Sequence, residues 1–298
     1  MPIPRRELAA LPPIAVVWAP AGKATGTAAG DVIVVRGGGA HLRRVASWKS
    51  GIPGENRSYG AFDVHWSPGR RSLGVSLAVW QSDPNAKIAT ISSIDGIVTE
   101  LTEGAWGDRF VEWSHDGTHV LYAGSSPDDG SFTVLLSIPA EGGKPIEQAV
   151  EATRRLRRRD VFSIYPSPDG NSLAGFDRNG ILITKVTGSR VVRLANGDFE
   201  GGLIWAPDSR RILVNRSFFG PSVISAEGGG EHLLKGNGCC EAVAWSPDGR
   251  KILVIREVSD RAWTELWVMD ADGGRLTRLS FNRPHWSVLA ADWDTPHP

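Results

Sequence analysis

The chain has 298 residues, 41% of them hydrophobic and 22% charged, which is the composition of a folded globular protein that buries a sizeable core. Lys plus Arg equals Asp plus Glu at 33 each, so no net charge attracts the molecule to nucleic acid or to an anionic membrane, and no run of about 18 apolar residues is present to span a membrane. The 35 Gly, 19 Pro and 12 Trp residues indicate many tight turns and large packing anchors, which favours a short-stranded all-β fold.

The N-terminal segment MPIPRRELAALPPIAVVW contains basic residues but not the uninterrupted apolar stretch of a secretory signal peptide, because Pro12 and Pro13 break it. The sequence as it stands therefore predicts a cytoplasmic protein. The alternative is a periplasmic or exported protein whose signal peptide has been removed. Cys239 and Cys240 are the only cysteines, and neighbouring cysteines rarely reach disulfide geometry with each other, so no disulfide framework is expected.

The first predicted strands are Ile14–Trp18, Asp31–Arg36 and His41–Ala46. After them one unit recurs: an apolar stretch that ends in an aromatic anchor, then a Pro-Asp-Gly turn, then a β-branched stretch, as in AVAWSPDGRKILVI from Ala242 to Ile255. Intervals of 40–52 residues between anchors suit four short strands with their turns. The anchors are Trp66, Trp113, Tyr165, Trp205, Trp245 and Trp293.

The turn of each unit is a hairpin signal with a physical cause. Ser caps the first position, Pro fixes φ at the second, and Gly supplies the positive φ of a type I turn followed by a bulge. A second Gly-containing hairpin follows in each unit, as in ELWVMDADGGRLTRLS. Two hairpins make a four-stranded antiparallel blade.

The segments WSPDGRKILV and ELWVMDADGGRLTRLS resemble the PD40 blade repeat of TolB-like, WD40-like propellers. Copies cover roughly residues 60 to 281, with departures from the pattern at Gly69, His115 and Pro166. The resemblance implies an all-β, six-bladed β-propeller, but no single function, because such propellers serve as docking modules, enzyme domains and regulatory appendages. The single domain then spans 1–298, with blades at approximately 14–46 plus 288–293, 60–102, 109–148, 161–194, 201–235 and 241–280.

The two ends of the chain carry complementary fragments of one blade. Residues 288–293 (VLAADW) are similar to an innermost strand with no blade after it, whereas the N-terminal blade lacks one strand. Pairing of the two would close the ring and remove an exposed edge. In the alternative, VVWAPAG at Val16–Gly22 is itself an innermost strand, and the first blade is poorly formed.

The connections that enter the innermost strands gather at one mouth of the central channel, and this mouth is the predicted binding surface. Its aromatic and charged residues are the candidate ligand-binding residues: Tyr59, Trp106, Asp108, Arg109, Arg159, Asp160, Glu200, Arg283, His285 and Trp286. Asp108, Asp160 and Glu200 each lie five residues before an anchor, so they are candidate ligands of a divalent cation such as calcium. In the alternative, each acid pairs with an arginine of an adjacent blade.

Histidine and cysteine give weaker signals. His65 and His115 lie on or next to innermost strands and are candidates for lining the channel. His232, Cys239 and Cys240 have a spacing that matches no usual zinc pattern. A zinc site is therefore not expected.

The strongest local charge is a run of five arginines before the fourth blade. As a patch it would bind phosphate or an acidic partner. The alternative is the solvated side of a short helix over IEQAVEATRRL, with Ile146, Val150 and Leu156 turned inward. The run consists of Arg154, Arg155, Arg157, Arg158 and Arg159.

No nucleophile elbow, Walker loop, dinucleotide fingerprint or zinc-protease motif occurs in the sequence. We therefore predict a scaffold that binds a protein, a peptide or a small molecule at the channel mouth; nucleic acid is not an expected partner of a neutral chain. The alternative is an enzyme of the lyase, hydrolase or cyclase type, with Asp108, Asp160 and Glu200 as acid/base groups or cation ligands beside His285.

Overall fold

The computed structural model describes residues 2–20, 31–47, 60–69, 71–78, 86–104, 108–125, 133–161, 163–234, 240–258, 263–282 and 285–294. Its helices are α1 (Arg5–Ala9), α2 (Val150–Arg157) and a 3-10 turn (Gly37–Gly39). Among the described residues, no helix has the length and apolar character needed to cross a membrane. The strands are β1 (Ile14–Pro20), β2 (Asp31–Arg36), β3 (His41–Ser47), β4 (Gly60–Trp66), β5 (Ser72–Ala78), β6 (Lys87–Ser92), β7 (Val98–Glu100), β8 (Arg109–Trp113), β9 (His119–Ser125), β10 (Thr133–Pro139), β11 (Ile146–Glu147), β12 (Ser163–Pro166), β13 (Ser172–Asp177), β14 (Gly180–Lys185), β15 (Val191–Asn196), β16 (Phe199–Trp205), β17 (Arg211–Arg216), β18 (Gly220–Ser225), β19 (Glu231–Leu233), β20 (Cys240–Trp245), β21 (Lys251–Glu257), β22 (Thr264–Asp270), β23 (Thr277–Arg278) and β24 (Trp286–Trp293).

These strands form six four-stranded antiparallel sheets within the described residues, which confirms the predicted six-bladed propeller. Blade 1 is β24-β1-β2-β3, and blades 2 to 6 take β4–β7, β8–β11, β12–β15, β16–β19 and β20–β23. The innermost strands β24, β4, β8, β12, β16 and β20 are neighbours in that order around the ring. Apolar residues of the middle strands, such as Leu253 and Val254 of β21, are fully buried because each blade is covered by another on both faces.

Ring closure follows the predicted pairing of the chain ends. Ile14 of β1 pairs with Trp293 of β24, and Val16 pairs with Ala291. On its other side β1 pairs with β2. Because β1 is the second strand of blade 1, the alternative in which Val16–Gly22 supplies an innermost strand is wrong.

The N-terminal segment crosses the seam between blades 1 and 6. Ile3 is buried, and its backbone N–H donates to Thr277 Oγ1 at 2.8 Å. The Glu7 carboxylate accepts bonds from Lys251 Nζ at 2.7 Å and from Arg275 Nη1 at 3.0 Å. The closure is therefore held by strand pairing and also by this segment.

The hairpin turns define which residues are equivalent between blades. Ser246 N–H donates to Lys251 O at 2.8 Å, and Ser246 Oγ–H donates to Asp248 Oδ1 at 2.6 Å. Ser167 makes the same two bonds, to Ser172 O and to Asp169 Oδ1. Since Trp245 directly precedes Ser246, the residue that takes its place in blade 4 is Pro166. The identification of Tyr165 as the anchor of blade 4 is therefore wrong by one residue.

Several anchor indoles tie adjacent blades together. The Nε1–H groups of Trp113, Trp205 and Trp245 donate to the carbonyls of His65, Tyr165 and Ile204 at 3.1–3.3 Å. Each acceptor directly precedes the anchor position of the previous blade. This repeated bond supports the placement of Tyr165 one residue before the anchor.

Helix α2 lies between blades 3 and 4, where its Ala152 and Leu156 are buried against Leu135, Val161 and Ile164. The predicted helix is present, and Leu156 faces inward as expected. Ile146 does not, because it belongs to strand β11 and is 66% exposed.

Candidate functional site

Four consecutive blades place a polar side chain on the innermost strand just before the anchor position. In blades 5 and 6 the equivalent residues are Ile204 and Ala244, so the polar groups occupy one side of the channel. Relative to the predicted mouth residues, they lie four residues further along the strand, about 13 Å deeper into the channel. The four residues are Asp292, His65, Glu112 and Tyr165.

His65 is the centre of this group. Its Nε2 lies 3.1 Å from Asp63 Oδ1, and the two side chains retain 27% and 29% exposure, so water reaches them inside the ring. Burial lowers the pKa of His65, but the carboxylates of Asp63, Asp292 and Glu112 outweigh it and raise this pKa to about 9. Burial raises the pKa of Asp63, and the positive His65 more than reverses this, leaving that pKa below its usual value. The pair is therefore ionised at neutral pH.

Asp292 and Glu112 flank His65 from the neighbouring blades. Asp292 Oδ2 accepts the backbone N–H of Trp66 at 2.9 Å, across the seam between blades 1 and 2. Burial raises the pKa of Asp292 to about 7, although His65 opposes this shift. Glu112 Oε1 accepts the N–H of Trp113 at 2.9 Å, and burial likewise raises its pKa. Asp292 thus changes charge near neutral pH next to an imidazolium.

A second layer lies closer to the connections that enter the strands. The Arg109 guanidinium stands 5.9 Å from the Phe62 ring, and its positive charge favours the ionised forms of Asp63 and Tyr165. Burial nevertheless raises the pKa of Tyr165. In blade 6, burial and then the Glu200 and Asp63 carboxylates raise the pKa of Glu241. The channel therefore holds more acidic than basic groups.

Bulges orient these side chains. Register shifts occur between Ala61 and Asp63 in β4, and between Phe110 and Glu112 in β8. A bulge inserts one residue and turns the following side chains, which makes it a common device next to binding sites. In both strands it directly precedes the polar residues of the channel.

The structure separates the predicted mouth residues. Tyr59, Trp106 and Arg283 lie outside the described residues. Asp108 is only 4% exposed, and its Oδ1 comes within 2.8 Å of the position that a Cβ on Gly124 would take, so it packs against β9. Asp160 and Arg159 are exposed in the turn after α2, where Asp160 has φ +57°.

Other predicted residues do lie around the channel entrance. Arg109 and Glu200 are on innermost strands and belong to the second layer described above. His285 packs against Trp263 with ring centroids 4.8 Å apart, and Trp286 packs against Trp18 at 4.9 Å. His65 lies inside the channel, as expected for a lining residue.

The predicted cation site has no matching arrangement of ligands. Among the described residues, no group of three or more His, Cys, Asp or Glu side chains is placed to hold a metal ion. The physical reason is the one-residue offset in blade 4: Asp160 is six residues before Pro166, in an exposed turn, and so is not equivalent to Asp108 and Glu200. Calcium ligation by this trio is not supported.

Sequence reasoning missed Asp63, Glu112, Glu241 and Asp292. For Glu112 and Asp292 the available signal was the residue directly before each aromatic anchor, which is ionisable in HW, EW and DW but apolar in IW and AW. Asp63 and Glu241 lie three and four residues before their anchors, Trp66 and Trp245, and this signal does not find them. These residues lie inside regular strands, whereas the predicted site was sought in the connecting loops.

No family model matches the chain, and no curated protein matches it in sequence. Solved structures are similar in fold. A crystal structure of TolB from Acinetobacter baumannii is 15% identical with a TM-score of 0.68, over 96% of this chain and 67% of that one. A putative TolB from Agrobacterium tumefaciens is 16% identical with a TM-score of 0.59, over 94% and 98%. A nidogen/laminin complex is 11% identical with a TM-score of 0.62, over 94% and 97%.

Proposed function

We propose that this TolB-like propeller is a binding scaffold that takes a protein segment, a peptide or a small ligand at the mouth of its central channel. The observation that most directly supports this proposal is the water-accessible channel lined by Asp63, His65 and Arg109. His285 and Trp286 stand at its entrance. Polar groups of both signs inside an enclosed site orient a ligand, and aromatic side chains at the rim supply contact area.

The fold supports this proposal in a general way. One of the similar structures is a propeller in a nidogen/laminin complex, so the same architecture takes part in a protein–protein complex there. Function is nevertheless set by the site and not by the fold. The channel residues of this chain are therefore what an experiment must address.

Selection of short displayed peptides on the immobilised protein tests the proposal. Peptides that bind the wild-type protein are expected to lose about tenfold or more in affinity for the variants Asp63→Asn and Arg109→Gln. The matched control is Arg210→Gln, an exposed arginine in a blade 5 turn, which should leave affinity unchanged. Equal binding by the channel variants and the control would place the ligand elsewhere.

A second candidate function, acid–base catalysis of the hydrolase or lyase type, is favoured by one observation. Asp292, with a pKa of about 7, lies next to an imidazolium and so can take up or release a proton at neutral pH. A screen of ester, lactone and glycoside substrates tests it. An activity that requires Asp292 should disappear in Asp292→Asn; an activity that survives this change does not use the channel acid.

A further inference from the structure

The exposed side of α2 concentrates positive charge on a molecule of zero net charge. Residues 151–160 contain five arginines against Glu151 and Asp160. The helix needs only Ala152, Thr153 and Leu156 for packing, since these are its buried residues. Its arginines are therefore not required to cover the core.

One arginine attaches the helix to the facing turn of blade 4. Arg155 Nη2 donates to Lys185 O at 2.8 Å, and Arg155 Nε donates to Thr184 Oγ1 at 3.3 Å. Thr184 Oγ1–H in turn donates to Arg190 O at 2.9 Å. These bonds hold the backbone of Arg190 beside the helix. We call the resulting surface, formed by Arg154, Arg158, Arg159 and Arg190, the α2 arginine ridge.

Among the described residues, most side chains of the ridge lack an acidic partner, the exception being Arg154, which pairs with Glu151. Several arginines elsewhere are neutralised by an acid, as Arg278 is by Glu265 at 2.7 Å and Arg211 by Asp208 at 2.8 Å. Within the described part of the chain, the side chains of Arg158, Arg159 and Arg190 make no ion pair. Their charge is available to another molecule.

A purely structural role accounts for part of the run only. Cations in the last turn of a helix stabilise it through the helix dipole, and this applies to Arg154, Arg155 and Arg157. Arg158 and Arg159 lie beyond that turn. Arg154 and Arg158 are also four residues apart, a spacing at which like charges repel each other and do not stabilise a helix end.

The chemistry of the ridge selects among anionic partners. Arg154 Nη1 already holds a carboxylate, that of Glu151, at 2.7 Å on the exposed face. Neither 146–160 nor 184–190 contains an aromatic residue, so the ridge lacks the stacking groups typical of single-strand nucleic-acid binding. Leu156 is buried, which leaves no large apolar side chain of α2 to enter a bilayer.

We propose that the α2 arginine ridge binds a carboxylate-rich segment of a partner protein. Planar guanidinium groups pair with carboxylates through two parallel hydrogen bonds, and arginines at a spacing of four residues match acidic residues spaced in the same way on a partner. The surface lies on the connection between β11 of blade 3 and β12 of blade 4, apart from the channel residues Asp63, His65 and Arg109.

Fluorescence anisotropy with a labelled oligoglutamate peptide tests the proposal on the full chain. The triple variant Arg154→Gln, Arg158→Gln, Arg159→Gln is expected to lose about tenfold or more in affinity, and its salt dependence should become shallower. The matched control Arg210→Gln, Arg250→Gln removes exposed charge from the turns of blades 5 and 6 and should bind like the wild type.

A melting curve separates binding from stability. The melting temperature of the triple variant should stay close to that of the wild type, because loss of the Arg154–Glu151 ion pair and relief of the repulsion between arginines oppose each other, whereas a purely structural role of the run would lower it clearly. Absence of wild-type binding to oligoglutamate, or equal binding by the triple variant, overturns the proposal. Binding of oligothymidylate or of phosphatidylserine vesicles as tightly as oligoglutamate also overturns it, because the ridge would then attract any polyanion.

Discussion

Replacement of Asp292 by asparagine should remove the part of the pH dependence of stability that this carboxyl group contributes. The ordinary pKa of an aspartate is 3.8, and burial raises that of Asp292 to about 7. The folded state thus binds a proton that the unfolded state releases, so the contribution to stability is present below pH 3.8 and is lost as the pH rises through 7. Between about pH 5 and 8 this loss amounts to roughly 2–3 kcal/mol of unfolding free energy.

Urea unfolding at about pH 5, 6, 7 and 8 measures this effect as a difference between proteins. Asparagine retains an oxygen that accepts the Trp66 N–H, so the hydrogen bond across the seam is preserved. The wild type should lose stability over this range, and Asp292→Asn should lose roughly 2 kcal/mol less. The control Asp95→Asn changes an exposed carboxylate and should follow the wild type. Parallel curves for the wild type and Asp292→Asn would show that Asp292 does not take up a proton on folding in this pH range.

Two further predictions concern the anchors and the proposed cation. Trp205→Phe removes the hydrogen bond from the indole N–H to Tyr165 O. It should lower the free energy of unfolding by about 1 kcal/mol more than Trp66→Phe does, because Trp66 Nε1–H lacks a hydrogen-bond partner in the described structure. Equal losses in urea unfolding would contradict a stabilising role of this bond. Millimolar calcium should change the melting temperature of the wild type and of the triple variant Asp108→Asn, Asp160→Asn, Glu200→Gln equally, because no three acidic, His or Cys side chains of the described residues are placed to bind a cation. A rise in the wild type alone would instead support calcium binding by these three residues.

The fold was predictable because its determinants are local. The Ser-Pro-Asp-Gly turn fixes each hairpin through bonds inside five residues, such as Lys251 N–H to Ser246 Oγ at 2.8 Å. Repetition of this turn then sets the number of blades. Ring closure was predictable for a related reason, since VLAADW has the pattern of an innermost strand and a single place to pair.

The candidate site was predictable only in part, because it depends on which blades face one another. His65, Glu112 and Asp292 are 47 and 180 residues apart along the chain, by subtraction of their numbers, and meet only when the ring closes. Pro166 in an anchor position also displaced the alignment of blade 4. Because of this one-residue shift, the sequence pattern predicts Tyr165 as the anchor of blade 4. For the same reason it aligns Asp160 with Asp108 and Glu200, although the three do not come together in the fold.

The pairing of β1 with β24 gives this protein a particular order of events during synthesis. The ribosome releases β1 long before β24, so the edge of β1 that pairs with β24 stays unpaired, as at Val16, until synthesis has reached Ala291. Contacts of such long sequence separation form slowly, and an open edge is a template for pairing with another chain. Truncation before β24 would leave this edge of β1 permanently unpaired, and blade 1 would then favour association between copies over a closed monomer.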